Sequence, residues 1–170
     1  RDRHAFAYEP NQGQLVLFGG LRPQGIQLNP LSDAHAYDLA TSSWRALAPT
    51  GSAPTARADA RLFWVPHQNR FLLFGGTTVA QGGGTRFNEL WALTINAAAG
   101  TATWTLLTPG GTVPSARNAP CSAYDELGRR FISFGGDTAS GATSQTYTYD
   151  VDANTWALEV VSGTVPSARA

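Results

Sequence analysis

Residues 15–20 read LVLFGG, and the same device returns as FLLFGG at 71–76 and FISFGG at 131–136. Three oily runs, each halted by two glycines and spaced 56 and then 60 residues apart, mark a chain built from a repeated unit. No other feature limits the fold as much. Stacked repeats bury their apolar faces against one another, so each unit depends on its neighbours for a core.

Other landmarks fall into register on the double glycine. Each unit carries a Trp (Trp44, Trp104, Trp156), and 13 residues after each Trp comes an Arg (Arg57, Arg117, Arg169). Each of those arginines closes a PxxR group: PTAR at 54–57, PSAR at 114–117 and PSAR at 166–169. From Arg to the Phe of FGG the distance is 17 residues in units two and three, and counting 17 back from Phe18 lands on Arg1. The spacing therefore predicts three whole units, over approximately 1–56, 57–116 and 117–168, forming one segment over 1–170.

Within a unit the pattern is one of short strands. The first follows the Arg and bears an aromatic seven residues on (Tyr8, Trp64, Tyr124) before a polar turn. The second is the apolar run itself, expected to be buried on both faces. The third alternates, placing His35 and Tyr37, Trp91 and Leu93, or Tyr147 and Tyr149 on one face. The fourth begins at the Trp. No segment shows a helical period, so the expected class is all-β. Four antiparallel strands in about 50 residues is the pattern of a propeller blade.

The order of double Gly, alternating aromatic strand and Trp resembles the kelch repeat family over essentially the whole chain. Two departures are visible: Leu93 stands where the other units have Tyr, and NAAAGTA adds four residues before Trp104. The resemblance implies a kelch-type β-propeller of three four-stranded blades, half of a six-bladed ring. Propellers typically close with 4–8 blades. If each end face left about 300 Å² of apolar surface wet, the loss would be roughly 15 kcal/mol for the pair. Closure by a second copy of the chain, as a homodimer, or by the missing blades of a longer chain is therefore expected.

Internal repetition also sorts the candidate functional residues. Positions shared by all units serve the blade, which makes the PxxR arginines Arg1, Arg57, Arg117 and Arg169 ties between loop carbonyls. A ring of them around the channel, binding an anion or acidic peptide, is the second reading. Loops after the double glycine are long and unlike one another: LRPQGIQLNPLSD, TTVAQGGGTRFNE and DTASGATSQT. Loops on rigid scaffolds carry function. In kelch propellers this loop and the one joining blades crown one face, which by resemblance singles out Arg22, Gln24, Arg86, Phe87 and Asp137. Arg3, His4, Asp59 and Asn118 are expected nearer the channel mouth.

The resemblance implies a binding scaffold for a protein or peptide, with a carbohydrate as the other ligand class. It also leaves open a sugar-processing propeller related to copper-dependent galactose oxidase, or a structural module of a larger secreted or surface protein. Against catalysis, His4, His35 and His67 occupy unrelated repeat positions, where metal ligands must converge. His35 is expected to pack as an aromatic, and Cys121 as a small buried thiol. Asp33, Asp38, Glu89 and Asp150 lie at repeating positions suited to turns. GGG at 82–84 lacks the strand-to-helix setting of a phosphate loop. No cofactor is implied. Twelve arginines balance twelve acidic residues, which favours neither nucleic acid nor a membrane surface, and no apolar run approaches the roughly 18 residues of a membrane helix.

Overall fold

A computed structural model describes residues 1–24, 27–79, 84–97 and 99–170. Twelve strands form three antiparallel four-stranded meanders in chain order, and the third sheet gains Gly110–Gly111 as a short fifth strand. The first sheet contains Ala5–Glu9, Gln14–Phe18, Ala34–Asp38 and Ser43–Leu47. The second contains Arg61–Val65, Arg70–Phe74, Leu90–Asn96 and Thr101–Leu107, and the third Cys121–Asp125, Arg130–Phe134, Thr146–Asp150 and Thr155–Leu158. First strands of neighbouring sheets approach one another, so the meanders converge along their first strands and splay at their fourth. The arrangement is all-β and propeller-like. The one helical turn among the described residues is a 3-10 turn, Pro66–Gln68, in the polar turn of the second sheet.

Alternation gives each sheet a backward face, toward the preceding sheet, and a forward face, toward the next. The backward face of the second sheet (Leu62, Phe71, Leu73, Trp91, Leu93, Trp104) packs on the forward face of the first, which offers Ala5, Val16, Phe18, Ala34 and Ala36. Its forward face (Phe63, Val65, Leu72, Phe74, Leu90, Ala92) packs on Phe131, Tyr147, Tyr149 and Trp156 of the third. One ring contact recurs: Phe18 meets Trp104 at 5.2 Å between centroids, and its equivalent Phe74 meets Trp156 at 5.0 Å.

Of the three apolar runs, FLLF alone is buried on both faces. LVLF and FISF are buried on alternate residues, because the first and third sheets each have one neighbour rather than two. Trp44 is consequently 54% exposed, against 4% for Trp104 and 1% for Trp156 at the same repeat position. Cys121 is likewise exposed, contrary to expectation, since it lies on the forward face of the third sheet.

The connections between sheets run along the outer edge of the next sheet. Thr50 bridges Thr103 in parallel, and Gly110–Gly111 pairs in parallel with Thr155–Trp156. This carries the chain back to the end where the double glycines sit.

Candidate functional site

Strand direction puts two different surfaces at the two ends of the sheets. The loop end gathers the double glycines, the loops that follow them and the PxxR segments. Hairpin turns make up the opposite, turn end.

At the loop end the double glycine and the PxxR group prove to be one device. Gly75 and Gly76 adopt φ of 71° and 99°, a region that side chains disfavour. The Gly76 N–H donates to the carbonyl of Arg117 at 3.0 Å, and a Cβ on Gly75 would lie 2.7 Å from that same oxygen. Equivalent bonds run from Gly20 to Arg57 (2.9 Å) and from Gly136 to Arg169 (2.8 Å). Each arginine backbone therefore locks onto the glycines of the preceding unit.

The side chains tie the same joint from the other side. Arg57 donates through Nε to the Thr55 carbonyl (2.9 Å), through Nη1 to the Gly75 carbonyl (3.2 Å) and through Nη2 to Glu89 (2.7 Å). Arg117 repeats this with the carbonyls of Ser115 (3.0 Å) and Gly135 (2.9 Å), and reaches Gln145 at 3.4 Å. Arg57 and Arg117 are 1% and 0% exposed, so neither presents surface to an anion, and a channel-lining role for these two is corrected by their burial. Arg1 is paired with Asp33, the equivalent of Glu89, and Arg169 is exposed, with Ser167 as its partner. Burial pushes the Glu89 carboxyl up, but the Trp91 indole N–H and the Arg57 guanidinium outweigh it and hold the group below its usual value.

The loop residues singled out from the sequence divide into groups. Arg86, Asn118 and Asp137 come together: the Arg86 guanidinium donates to Asp137 at 2.6 Å and to Asn118 at 3.1 Å. They brace the loop of one unit against the next instead of facing outward as anchors. Phe87 lies beneath the Arg57 guanidinium, 3.8 Å from ring centroid to carbon. Arg3 donates to Asp59 at 3.2 Å. Both sit at equivalent left-handed positions (φ 52° and 57°), and the Asp59 N–H donates to the Arg3 carbonyl at 2.9 Å. His4 packs edge-on to Phe6, and burial, with Arg1 nearby, lowers its basicity. Gln24 accepts from Asn29 at 2.7 Å on the hairpin of Leu21–Gln24 and Gln27–Pro30. Arg22, on that hairpin, is exposed and forms no side-chain hydrogen bond or ion pair among the described residues.

The histidines stay separate. His35 hydrogen-bonds Asp33 at 2.9 Å instead of packing as an aromatic, since the backward face of its sheet is uncovered. His67 bonds Asp152 at 2.8 Å. Among the described residues no group of three or more His, Cys, Asp or Glu side chains is placed to hold a metal ion. Of the GGG at 82–84, Gly82 and Gly83 lie outside the described residues.

A family model described as the KLHDC2/KLHL20/DRC7 Kelch-repeats domain matches residues 1–170 of this chain of repeated joints. The chain belongs to the kelch-repeat family. Kelch-repeat domains are generally protein-interaction scaffolds and typically non-enzymatic. The kelch double glycine is here a socket for an arginine carbonyl.

The turn end was missed in reading the sequence. A cavity of about 470 Å³ opens there, lined by Phe6, Tyr8, Asn11, Trp64, Tyr124 and Glu126 among others. The signal was present as the aromatic seven residues after each Arg, but repetition assigned it to packing.

Proposed function

We propose that this chain is a three-bladed kelch segment, with blades near 1–56, 57–116 and 117–168, that captures a protein or peptide through its loop end. The observation that supports this reading is the free guanidinium of Arg22, set on an exposed hairpin above a rigid frame of Arg–carbonyl ties. The Arg86–Asn118–Asp137 brace fixes the neighbouring loop, so a ligand would meet a preformed surface, which limits the ordering cost of binding. The partner's chemistry complementary to Arg22 is acidic. Charge reversal at Arg22 should remove capture of an acidic peptide by the immobilised chain, with thermal stability unchanged. Capture that survives Arg22→Glu would put the site elsewhere.

The same reading includes closure into a six-bladed ring by a second copy. It is favoured by an unmatched pair: the Phe–Trp contact seen twice inside the chain leaves Phe134 on the third forward face and Trp44 on the first backward face. Trp44 of one copy would meet Phe134 of the other, twice around a twofold axis. Light scattering should give about twice the 18.0 kDa chain mass, reduced to one chain by Trp44→Glu. A wild-type mass of one chain would refute closure by a second copy and assign that role to further blades of a longer chain.

A further inference from the structure

The turn end of the channel is a second surface, opposite the loops and independent of them. Its cavity draws one aromatic from each sheet at a single repeat position: Tyr8, Trp64 and Tyr124. Trp64 and Tyr124 belong to backward faces that a preceding sheet covers, yet both stay partly exposed. This position therefore faces the channel whether or not a neighbouring sheet is present, and it is not an accident of the uncovered first sheet.

The charge at the cavity is one-sided. Glu126 is the one ionised side chain among the described lining residues, and it is exposed, with no hydrogen-bond or ion-pair partner among the described residues. Of the cations of the adjoining turns, Arg129 pairs with Asp152 at 3.1 Å and Arg130 with Asp125 at 3.5 Å, while Arg70 lies toward Tyr149 and outside the cavity lining. His67 is held between Asp152 and the Tyr124 hydroxyl, at 2.8 and 3.3 Å. Burial, then the negative charges of Asp152 and Glu126, push the Tyr124 hydroxyl up, which reports a negative local field.

Aromatic rings with a lone carboxylate are suited to an organic cation, whose charge is drawn to the negative ring faces and balanced by the acid. We propose that the turn end of this channel binds an ammonium or guanidinium group of a partner peptide, against the rings of Tyr8, Trp64 and Tyr124 and beside Glu126. A neutral sugar could use the rings by stacking but would leave the carboxylate without a counter-charge.

The test uses the full 170-residue chain with choline as the probe and 3,3-dimethyl-1-butanol, its neutral isostere, as the control, followed through the indole N–H resonance of Trp64. Choline should bind more tightly than the isostere by roughly 2- to 30-fold, the range of one cation–π contact from exposed to desolvated. Glu126→Gln and Tyr8→Ala should each weaken choline several-fold. Both positions are exposed, so the fold is kept, and an unchanged melting curve checks it. Equal binding of choline and the isostere, no binding at millimolar choline, or preferential binding of a neutral disaccharide would each overturn the proposal.

Discussion

The first and second sheets are written in nearly the same pattern yet live in different surroundings. Trp44 and Trp104 occupy one repeat position, follow the same kind of alternating strand and face the same way around the axis. One is 54% exposed and the other 4%. The sequence of the unit does not decide burial; the neighbour does. In a solenoid-like chain the energy of a residue is set by the interface it happens to join, and the middle sheet is the one with two.

The comparison is broken most directly at the tryptophans. Trp104→Ala removes an indole packed on Phe18 at 5.2 Å and should cost about 3–5 kcal/mol, read as a shift of the denaturation midpoint. Trp44→Ala should cost under about 1 kcal/mol in the single chain, because most of its surface is already wet. If the two substitutions cost the same, the first backward face is covered in solution, and the mass measurement should show by what.

Next in size is the buried arginine joint. Arg117→Met keeps much of the volume but leaves the buried Gly135 carbonyl without its donor, and a buried unmet group costs about 1–3 kcal/mol. Stability should therefore fall by about 1–3 kcal/mol. At the exposed Arg169, which has the same local bond to its serine, Arg169→Met should shift it by less than about 0.5 kcal/mol. A large effect at Arg169 would mean that its guanidinium is buried by another unit.

A smaller, kinetic contrast separates the two forward faces. Cys121 takes the place of Ala5, which is 4% exposed beneath the second sheet, whereas Cys121 is exposed. A thiol reagent should modify Cys121 at nearly the rate of an unfolded control in the single chain. Protection that rises with protein concentration would indicate that a second copy covers the third sheet.

How much of this was legible beforehand follows the same division. The repeat fixed the strands, their order and the facing of His35, Tyr37 and their equivalents, since alternation is written residue by residue. The carbonyl ties of Arg57 and Arg117 could be read because they recur. What depended on neighbours was lost: the exposure of Cys121, the solvent-facing Asp33 bond of His35, and the one-sided burial of LVLF and FISF. The loop brace of Arg86, Asn118 and Asp137 joins residues 51 apart at its ends, and no local pattern announces such a contact. At the turn end an aromatic repeated in every unit does not by itself disclose a second role, although Trp64 and Tyr124 also open on the channel.

The smallest expected effect concerns the covered face of the third sheet, and it appears only in alkali. Tyr149 is fully buried, and burial pushes its hydroxyl from 10 up to about 12. In the unfolded chain the phenol loses its proton near pH 10, while in the folded chain it keeps it to about pH 12. Between those values the folded state binds the extra proton, so stability falls as pH rises. Below pH 10 the group has no effect on the slope. Tyr149→Phe cannot ionise and should flatten this alkaline part of the stability profile, although it also leaves the Asn154 side chain without the hydroxyl that meets it at 2.7 Å. That loss lowers stability at every pH and is separable from the change in slope. Tyr37 is the counterpart on the uncovered first sheet and is only partly buried. An alkaline slope left unchanged by Tyr149→Phe would show that the backward face of the third sheet is open to water, and the contrast between the sheets would be gone.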